Sequence, residues 1–290
     1  MFDHLAEKIP YQTLIKTTDL HLDVKRLDLI HPSISGNKFF KLKENFKQAK
    51  RLGLTQILTF GGAYSNHIAA TAAACQQVGF KSIGIIRGEE LAKQALNPTL
   101  AMAQQAGMQL HFVSRHAYRQ RHETHYQHDL LQQFPHSYLI PEGGTNAWAV
   151  LGCQDILTDA DLEYYDVITT AVGTGGTLAG LIEKSRPHQH ILGFSALKGD
   201  FLQQDIRQWT DRSNWSLTDE FCFGGYAKTS ATLLAFMQQF EAQYQIPLEH
   251  IYTAKMFYGL FQLIEQAYFK PATRILALHS GGLQGRLTAY

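Results

Sequence analysis

The chain has 290 residues, 45% of them hydrophobic and 18% charged, which is the composition of a folded protein and excludes extensive disorder. At roughly 100–200 residues per domain, this length predicts two domains. A formal charge of +1 removes the electrostatic case for binding nucleic acid or an anionic membrane, and the longest apolar runs, such as 83–86, are too short to span a bilayer.

Short apolar strands alternate with helical stretches along most of the chain. The first thirty residues differ, because period-two stretches such as LHLDVKRLDL within 13–30 predict a hairpin. The pattern then predicts strands at 56–60, 81–87, 109–113, 137–140, 167–172, 191–196 and 274–278, with helices at 65–78, 98–106 and 178–184. Strands joined by helices of this length indicate βαβ units and a mostly parallel sheet.

A histidine-rich segment at 115–136 raises the question of a metal site. His122, His125 and His128 are three residues apart, so neighbouring pairs could share a helix face and bind a metal. Because no acidic or cysteine ligand completes the set, we favour a solvated helix and expect no metal. The three cysteines form no CxxC pair and the N-terminal residues lack a secretory apolar core, so we expect no disulfide framework and a cytoplasmic location.

One glycine-rich loop lies between the strand at 167–172 and the helix that follows. It consists of Gly173, Thr174, Gly175, Gly176 and Thr177. The glycines let a ligand approach the backbone, and the helix N-terminus presents free N–H groups to an anion, so phosphate is the natural guest. A tight turn without a ligand is the plainer alternative. A dinucleotide is disfavoured, because GxGxxG requires a glycine where Leu178 stands.

Three further segments place polar groups at predicted strand ends. In GGAYSNH, Ser65 and Asn66 lie at a helix start, where simple N-capping explains them at least as well. In SGNKFFKL, desolvation of Lys38 would produce the neutral amine that a Schiff-base lysine requires, although a surface lysine over aromatic neighbours is commoner. With the C-terminal GGY, YTAK and HSGG segments, this combination predicts pyridoxal phosphate as the cofactor.

The motifs GNKFFKL, GGAYSNH, EGGTNAWAVLG, AVGTGGTLAG, YTAKMFYGL and HSGG resemble, in order and spacing, the 1-aminocyclopropane-1-carboxylate deaminase and D-cysteine desulfhydrase family. The similarity runs from about residue 13 to 282. It implies the tryptophan synthase β-like fold, or fold type II: two α/β domains of parallel sheets with helices on both faces, and the cofactor between them. The larger domain would comprise 1–45 plus 154–290 and the smaller one 46–153. The family also implies a homodimer.

The resemblance implies which residues hold the cofactor. Lys38 resembles the lysine that forms a Schiff base with the cofactor and moves the Cα proton, and Asn66 resembles the residue that hydrogen-bonds the ring hydroxyl. The loop at 173–177 is similar to the phosphate cradle, and Thr253 takes the position that faces the pyridine nitrogen.

Substrate contacts are implied in the same way. Ser65 and His67 resemble the pair around the substrate carboxylate, with Asn66 between them. Tyr226 and Tyr252 resemble the two active-site tyrosines, one of which can act as nucleophile or acid. The expected catalytic residues are therefore Lys38, Ser65, Tyr226 and Tyr252, and those expected to bind the substrate are Ser65, Asn66, His67 and Tyr226.

Position 253 separates two activities within the family. Ring-opening deaminases have a glutamate there, whereas the neutral Thr253 is similar to the desulfhydrase branch and stabilises a Cα carbanion less. The resemblance therefore implies elimination from a small amino acid, with D-cysteine giving pyruvate, ammonia and sulfide. Phe39 and Phe40 stand where better-known members have a short polar residue and an arginine. Ring opening, and a protein that binds the cofactor with little catalysis, are the alternatives.

Overall fold

The strands form two sheets in the computed structural model, which describes residues 2–286. In chain order they are β1 (Tyr11–Lys16), β2 (Leu20–Lys25), β3 (Gln56–Gly61), β4 (Lys81–Arg87), β5 (Met108–Val113), β6 (Ser137–Ile140), β7 (Val167–Val172), β8 (His190–Ser195), β9 (Trp215–Thr218) and β10 (Thr273–Leu278). The larger sheet has the order β1-β2-β10-β7-β8-β9 and the smaller one the order β5-β4-β3-β6.

Helices connect these strands. They are α1 (Asn37–Arg51), α2 (Asn66–Val78), α3 (Pro98–Gln105), α4 (Arg115–Arg119), α5 (Thr124–Gln133), α6 (Ala147–Gln154), α7 (Asp159–Tyr164), α8 (Gly176–Lys184), α9 (Phe201–Arg207), α10 (Ala231–Tyr244) and α11 (Thr253–Glu265). In the part of the chain that the structure describes, no helix is long and apolar enough to cross a membrane.

The smaller sheet is an insertion in the larger one. Its four strands are all parallel and come from residues 56–140, whereas the larger sheet takes strands from both sides of that segment. The N-terminal hairpin adds β1 as an antiparallel edge, and β10 lies parallel between β2 and β7. The predicted hairpin and mostly parallel sheets are therefore confirmed. The domain boundaries remain a prediction, and both fall inside helices, α1 and α6.

Each sheet is covered on both faces, as parallel sheets require. On the larger sheet, one apolar cluster includes Leu178 and Ile182 of α8, and the other includes Phe240 of α10 and Phe257 of α11. On the smaller sheet, one cluster contains Tyr118 of α4 with residues of α5, and the other contains residues of α2 and α3. Helices therefore lie on both sides of each layer, as the resemblance implied.

Glycines bring α1, α6 and α8 into backbone contact. A Cβ on Gly152 of α6 would lie 2.2 Å from the carbonyl oxygen of Phe40 in α1. A Cβ on Gly180 of α8 would lie 2.6 Å from the carbonyl oxygen of Val150 in α6. Since only glycine permits such approaches, these two positions fix the start of α1 relative to the loop before α8.

The histidine-rich segment forms two short helices rather than one. A 3₁₀ turn at Gln120–His122 and the extended Glu123 separate α4 from α5, so His122 is not on the helix that carries His125 and His128. Among residues 2–286 there is no group of three histidine, cysteine or acidic side chains that could hold a metal ion.

A buried ion pair links the hairpin to α7. The Nζ atom of Lys25 lies 2.5 Å from Oδ2 of Asp161 and 2.6 Å from the carbonyl oxygen of Ile156. Both side chains of the pair are 2% exposed. The hydroxyl of Tyr11 also donates to Asp161, at 2.8 Å.

We expect Lys25→Met to lower the free energy of unfolding by about 3–5 kcal/mol, because it leaves the buried Asp161 carboxylate without its cation. Urea denaturation measures the loss. Asp166→Asn is the matched control, because the Arg274–Asp166 pair is more than a third exposed and is expected to contribute less than about 1 kcal/mol. Equal losses in the two variants would contradict the prediction.

Candidate active site

One cavity of about 260 Å³ collects the segments that the sequence singled out. It is reached by the first turn of α1, the loop after β3, the loop after β7 and the segment after β10. The predicted residues that line it are Lys38, Ser65, Asn66, His67, Gly173, Thr174, Gly175, Thr177, Tyr226 and Tyr252. Gly176 and Thr253 lie behind this lining. Ligands of open parallel sheets bind at this carboxyl edge of the strands.

Lys38 is the second residue of α1, and its amine donates to the carbonyl oxygen of Gly143 at 3.0 Å. Burial and the neighbouring Lys41 hold the pKa of Lys38 well below its usual range. The start of α1 is set by Gly36, which has φ +68° and whose Cβ would lie 1.8 Å from the carbonyl oxygen of Ser280. The HSGG segment therefore positions a lysine whose lowered pKa favours the neutral, nucleophilic amine more than that of an exposed lysine.

Lys41 follows one turn later and was missed by the sequence analysis. Its amine donates to Gly143 O at 3.0 Å, to Thr145 Oγ1 at 2.9 Å and to Thr174 Oγ1 at 3.2 Å. Its side chain is buried, and burial lowers its pKa to about 8. The three-residue spacing of the two lysines was the available signal, since on a helix it places both on one face.

The glycine loop is built as an anion cradle at the N-terminus of α8. Gly175 has φ +79°, a conformation that favours glycine, and is the N-cap of the helix. A Cβ on Gly173 would lie 3.0 Å from the ring of Tyr252, and one on Gly176 would lie 2.8 Å from Thr145. The Thr177 hydroxyl accepts a hydrogen bond from Asn37 at 2.8 Å. The ammonium of Lys41 and the helix N-terminus therefore both favour an anion here.

The loop after β3 both caps a helix and lines the cavity. Ser65 is the N-cap of α2 and accepts a hydrogen bond from the N–H of Ile68 at 3.3 Å. Its capping role, the plainer alternative, is thus observed together with its place in the cavity wall. The amide oxygen of Asn66 accepts a hydrogen bond from Gln284 of the C-terminal segment.

His67 is enclosed by threonine hydroxyls. Its Nε2 lies 2.7 Å from Oγ1 of Thr59, which donates its own proton to Ile140 O, so we assign the ring proton to Nε2. Its Nδ1 lies 3.5 Å from Oγ1 of Thr71. Burial and the charges of Lys38 and Lys41 hold the pKa of His67 well below its usual range. The ring is a neutral part of the wall, and its contact with a substrate carboxylate stays a prediction.

The two tyrosines meet at one side of the cavity. The rings of Tyr226 and Tyr252 pack edge to face with centroids 6.1 Å apart. Burial raises the pKa of both phenols, that of Tyr252 well above its usual range, so each can donate a proton. The ammonium of Lys255 donates to Cys222 O at 2.8 Å and to Gly225 O at 2.7 Å, which anchors the turn that carries Tyr226.

Comparison with known sequences identifies this arrangement. The chain matches the family described as "pyridoxal-phosphate dependent enzyme" over residues 8–281. It belongs to that family. The predicted cofactor, and with it membership of a pyridoxal-phosphate-dependent family, is thereby confirmed.

Relatives of this pyridoxal-phosphate-dependent enzyme include three with informative names. A Thermotoga maritima protein, provisionally named a 1-aminocyclopropane-1-carboxylate deaminase, is 28% identical, with 90% of this chain and 88% of that protein aligned. The "bifunctional D-cysteine desulfhydrase/1-aminocyclopropane-1-carboxylate deaminase" of Arabidopsis thaliana is 25% identical over 90% of this chain and 72% of that protein. The "D-cysteine desulfhydrase" of Klebsiella pneumoniae is 24% identical over 89% and 86%.

Solved structures confirm the fold. A crystal structure described as an "ACC deaminase homologue" superposes with a TM-score of 0.79 at 24% identity, covering 97% of this chain and 91% of that one. The structure of "O-ureido-L-serine synthase" superposes with a TM-score of 0.73 at 14% identity, covering 100% and 93%. Both likenesses agree with the predicted fold type II.

The residues of this enzyme fit the cofactor. A phosphate fits the glycine loop at the N-terminus of α8 and the amine of Lys41, which donates to Thr174 in that loop. An aldehyde is matched by the amine of Lys38, which lines the same cavity. The chain therefore offers an anion site and a nucleophilic amine within one cavity, as pyridoxal phosphate requires.

Thr253 lies behind Tyr252 and is fully buried. Its hydroxyl is 3.3 Å from Oε1 of Glu249, a second buried residue that the sequence analysis missed. The Glu249 carboxylate accepts from the N–H groups of Ile251, Tyr252 and Thr253 at 2.8, 2.7 and 2.6 Å. Glu249 therefore caps α11 and engages the residue expected at the pyridine nitrogen.

We expect Glu249 to make this enzyme less stable as the pH rises. Burial raises its pKa from 4.5 to about 7, although three backbone N–H groups oppose the shift. Between these values the folded state holds a proton that the unfolded state has lost, so stability falls as pH rises from 4.5 to about 7 and is level above.

Urea unfolding of the wild type and Glu249→Gln across this pH range measures the effect. The wild type should lose about 3 kcal/mol relative to the variant as the pH rises through the window. Other titrating groups cancel in the difference between the two proteins. Parallel stability curves would show that Glu249 titrates alike in both states and would contradict the prediction.

Proposed function

We propose that this enzyme is a lyase that eliminates the β-substituent of a small amino acid, with D-cysteine as the leading substrate and pyruvate, ammonia and sulfide as products. The observation that carries the proposal is that one cavity holds a lysine with a strongly lowered pKa together with two protonated tyrosines. A protein that only binds the cofactor needs the lysine and the anion site but not the tyrosines. The name of the Klebsiella pneumoniae relative supports D-cysteine.

Each cofactor-facing residue has a role in this proposal. Pyridoxal phosphate, when bound, supplies the electron sink for the negative charge that develops at Cα. The amine of Lys38 holds the cofactor and moves the Cα proton. Lys41, with the loop at 173–177, holds the phosphate. Asn66 bonds the ring hydroxyl, and Gln284 orients its amide.

Substrate-facing residues complete the elimination. Ser65 and the N-terminus of α2 bind the substrate carboxylate, with Asn66 and His67 beside them. A protonated phenol, Tyr226 or Tyr252, donates to the departing thiolate. Glu249 holds the N-terminus of α11, and with it Thr253, in place.

Ring opening of 1-aminocyclopropane-1-carboxylate is the second candidate, because the Arabidopsis thaliana relative is named for both activities. The neutral Thr253 favours elimination over ring opening, since the resemblance assigns a glutamate at this position to ring-opening enzymes. The proposed main activity is therefore elimination.

Purified holoenzyme incubated with D-cysteine, L-cysteine and 1-aminocyclopropane-1-carboxylate tests the proposal. We expect equimolar pyruvate and sulfide from D-cysteine, and little 2-oxobutanoate from the cyclopropane. Faster formation of 2-oxobutanoate would favour the second candidate. A cofactor band that shifts with D-cysteine without product would overturn the proposed substrate.

The proposal includes a cytoplasmic homodimer, which the family resemblance implies. Sedimentation equilibrium of the holoenzyme distinguishes a dimer from a monomer of 32.7 kDa. Fractionation of the source cells tests the compartment.

A further inference from the structure

Arg87 is the one arginine in the cavity wall of the described chain, and the function proposed above does not use it. It ends β4, next to the strand that leads into the Ser65 loop. Its guanidinium lies over Gly62, where a Cβ would be 3.5 Å from Nη2. The cationic head group is thus held beside the loop that binds the substrate carboxylate.

An aromatic ring, rather than an acid, supports this guanidinium. Cζ of Arg87 lies 5.9 Å from the ring centroid of Tyr118, which is within the range of a cation–π contact. Within residues 2–286, no carboxylate forms an ion pair with Arg87. Its charge therefore remains available to a ligand.

Glu142, the acid that lines the same cavity, already has a cation as its partner. Its Oε2 accepts from Nε of Arg121 at 2.5 Å, and its Oε1 accepts from the Tyr118 hydroxyl at 2.7 Å. Both the Arg87 guanidinium and the Glu142 carboxylate act electrostatically on Tyr226. Of these two groups in the cavity wall, the carboxylate is thus paired and the guanidinium, in the described part of the chain, is not.

The other positive groups of the cavity are assigned to other anions. Lys41 and the N-terminus of α8 serve the cofactor phosphate, and Ser65 with the N-terminus of α2 serves the substrate carboxylate. Lys38 is assigned to the cofactor aldehyde, and burial and Lys41 lower its pKa. One positive charge remains, that of Arg87, which lies beside Gly62 and Tyr118. It also acts electrostatically on Tyr226, one of the two proposed proton donors to the leaving group.

We propose that Arg87 binds negative charge on the β-substituent, so that this enzyme prefers amino acids with an anionic β-substituent to neutral ones of the same size. This inference rests on the elimination proposed above. With D-serine O-sulfate, the Cα proton passes to Lys38 and the Cβ–O bond breaks with its electron pair on sulfate, as the Cα–Cβ double bond forms. Water then hydrolyses the released aminoacrylate to pyruvate and ammonia.

Two substrates of opposite character test this preference. D-Serine O-sulfate has an anionic β-substituent and β-chloro-D-alanine a neutral one, and elimination from both yields pyruvate. We expect Arg87→Gln to lower kcat/KM for D-serine O-sulfate by about tenfold or more, because the substitution removes a charge-assisted hydrogen bond. The kcat/KM for β-chloro-D-alanine should stay nearly unchanged. Arg87→Lys keeps the charge and should retain part of the preference, which added salt weakens.

Arg51→Gln is the matched control, since Arg51 is also exposed and stacks on an aromatic ring, that of Trp148, at 5.7 Å. Arg51 lies outside the cavity, so Arg51→Gln should leave kcat/KM unchanged for both substrates. Equal losses for both substrates in Arg87→Gln, or no loss for either, would overturn the inference.

Binding separates a failure of this inference from a failure of the proposed function. D-Aspartate and D-asparagine have the same size and differ by one charge, and titration of the holoenzyme through its visible absorbance gives both dissociation constants. The wild type should bind D-aspartate more tightly than D-asparagine. In Arg87→Gln the ratio of the two dissociation constants should fall by about tenfold. Absence of pyruvate from every substrate would overturn elimination, while an unchanged preference in the variant would overturn the role of Arg87.

Discussion

Lys38→Ala is expected to abolish the covalently bound form of the cofactor and to lower kcat by at least about 10⁴-fold, because the proposed function assigns to this one amine both the bond to the cofactor and the transfer of the Cα proton. The half-buried Lys38 side chain lines the cavity, and its pKa is held well below its usual range. The visible spectrum of the purified variant and its rate of pyruvate release from D-cysteine measure the two effects.

Three lysine variants on the same helix define the controls. Lys43→Ala should match the wild type, because Lys43 pairs with Asp3 and Asp155 outside the cavity. Lys41→Gln should keep the covalent band but weaken cofactor binding, as it removes the ammonium beside Thr174. Lys38→Arg places a permanent positive charge there without the nucleophile and should be inactive. An unchanged visible spectrum in Lys38→Ala would refute the assignment.

Thr253→Glu is expected to suppress elimination and to lower the free energy of unfolding by about 4–8 kcal/mol, from overpacking and an uncompensated buried carboxylate. Thr253 is fully buried, and its hydroxyl lies 3.3 Å from Oε1 of Glu249. Two carboxylates at such a distance cannot both ionise, so one must stay protonated. The glutamate that the resemblance assigns to ring-opening enzymes is thus incompatible with Glu249 in this chain.

The double variant Glu249→Gln/Thr253→Glu isolates the charge effect. It should recover about 3 kcal/mol of the lost stability, since the second carboxylate is gone. Any ring-opening activity should appear in the double variant rather than in Thr253→Glu. Thr253→Val, which keeps the size but removes the hydroxyl, should cost about 1 kcal/mol. If Thr253→Glu were as stable as Thr253→Val, the incompatibility would be refuted.

Several elements could be predicted from local sequence alone. The strands at 81–87, 137–140 and 167–172 were predicted with the bounds of β4, β6 and β7, because each is an apolar run flanked by turn residues. By contrast, β9 was missed, since its four residues are only half-buried and form no apolar run. The histidine-rich segment was predicted as one helix and forms two, because Glu123 is extended.

Residues of the candidate site could be predicted only where they belong to a motif that is contiguous in the chain. Lys38, Ser65 and the loop at 173–177 belong to short segments with recognisable spacing. Lys255 offered no such signal, because its partners, Cys222 O and Gly225 O, are about thirty residues away and are carbonyl groups that every residue has.

By itself, the sequence determined the cofactor, its pyridoxal-phosphate-dependent family and the order of most strands, because these depend on local apolar periodicity and on motifs that are contiguous in the chain. Only the tertiary structure decided which charges in the cavity are already paired. Lys41 meets Thr145 and Thr174 across more than 100 residues, and Glu142 is neutralised by Arg121 while Arg87 keeps its charge. Burial and distances between atoms far apart in sequence set these states, and no local pattern encodes them.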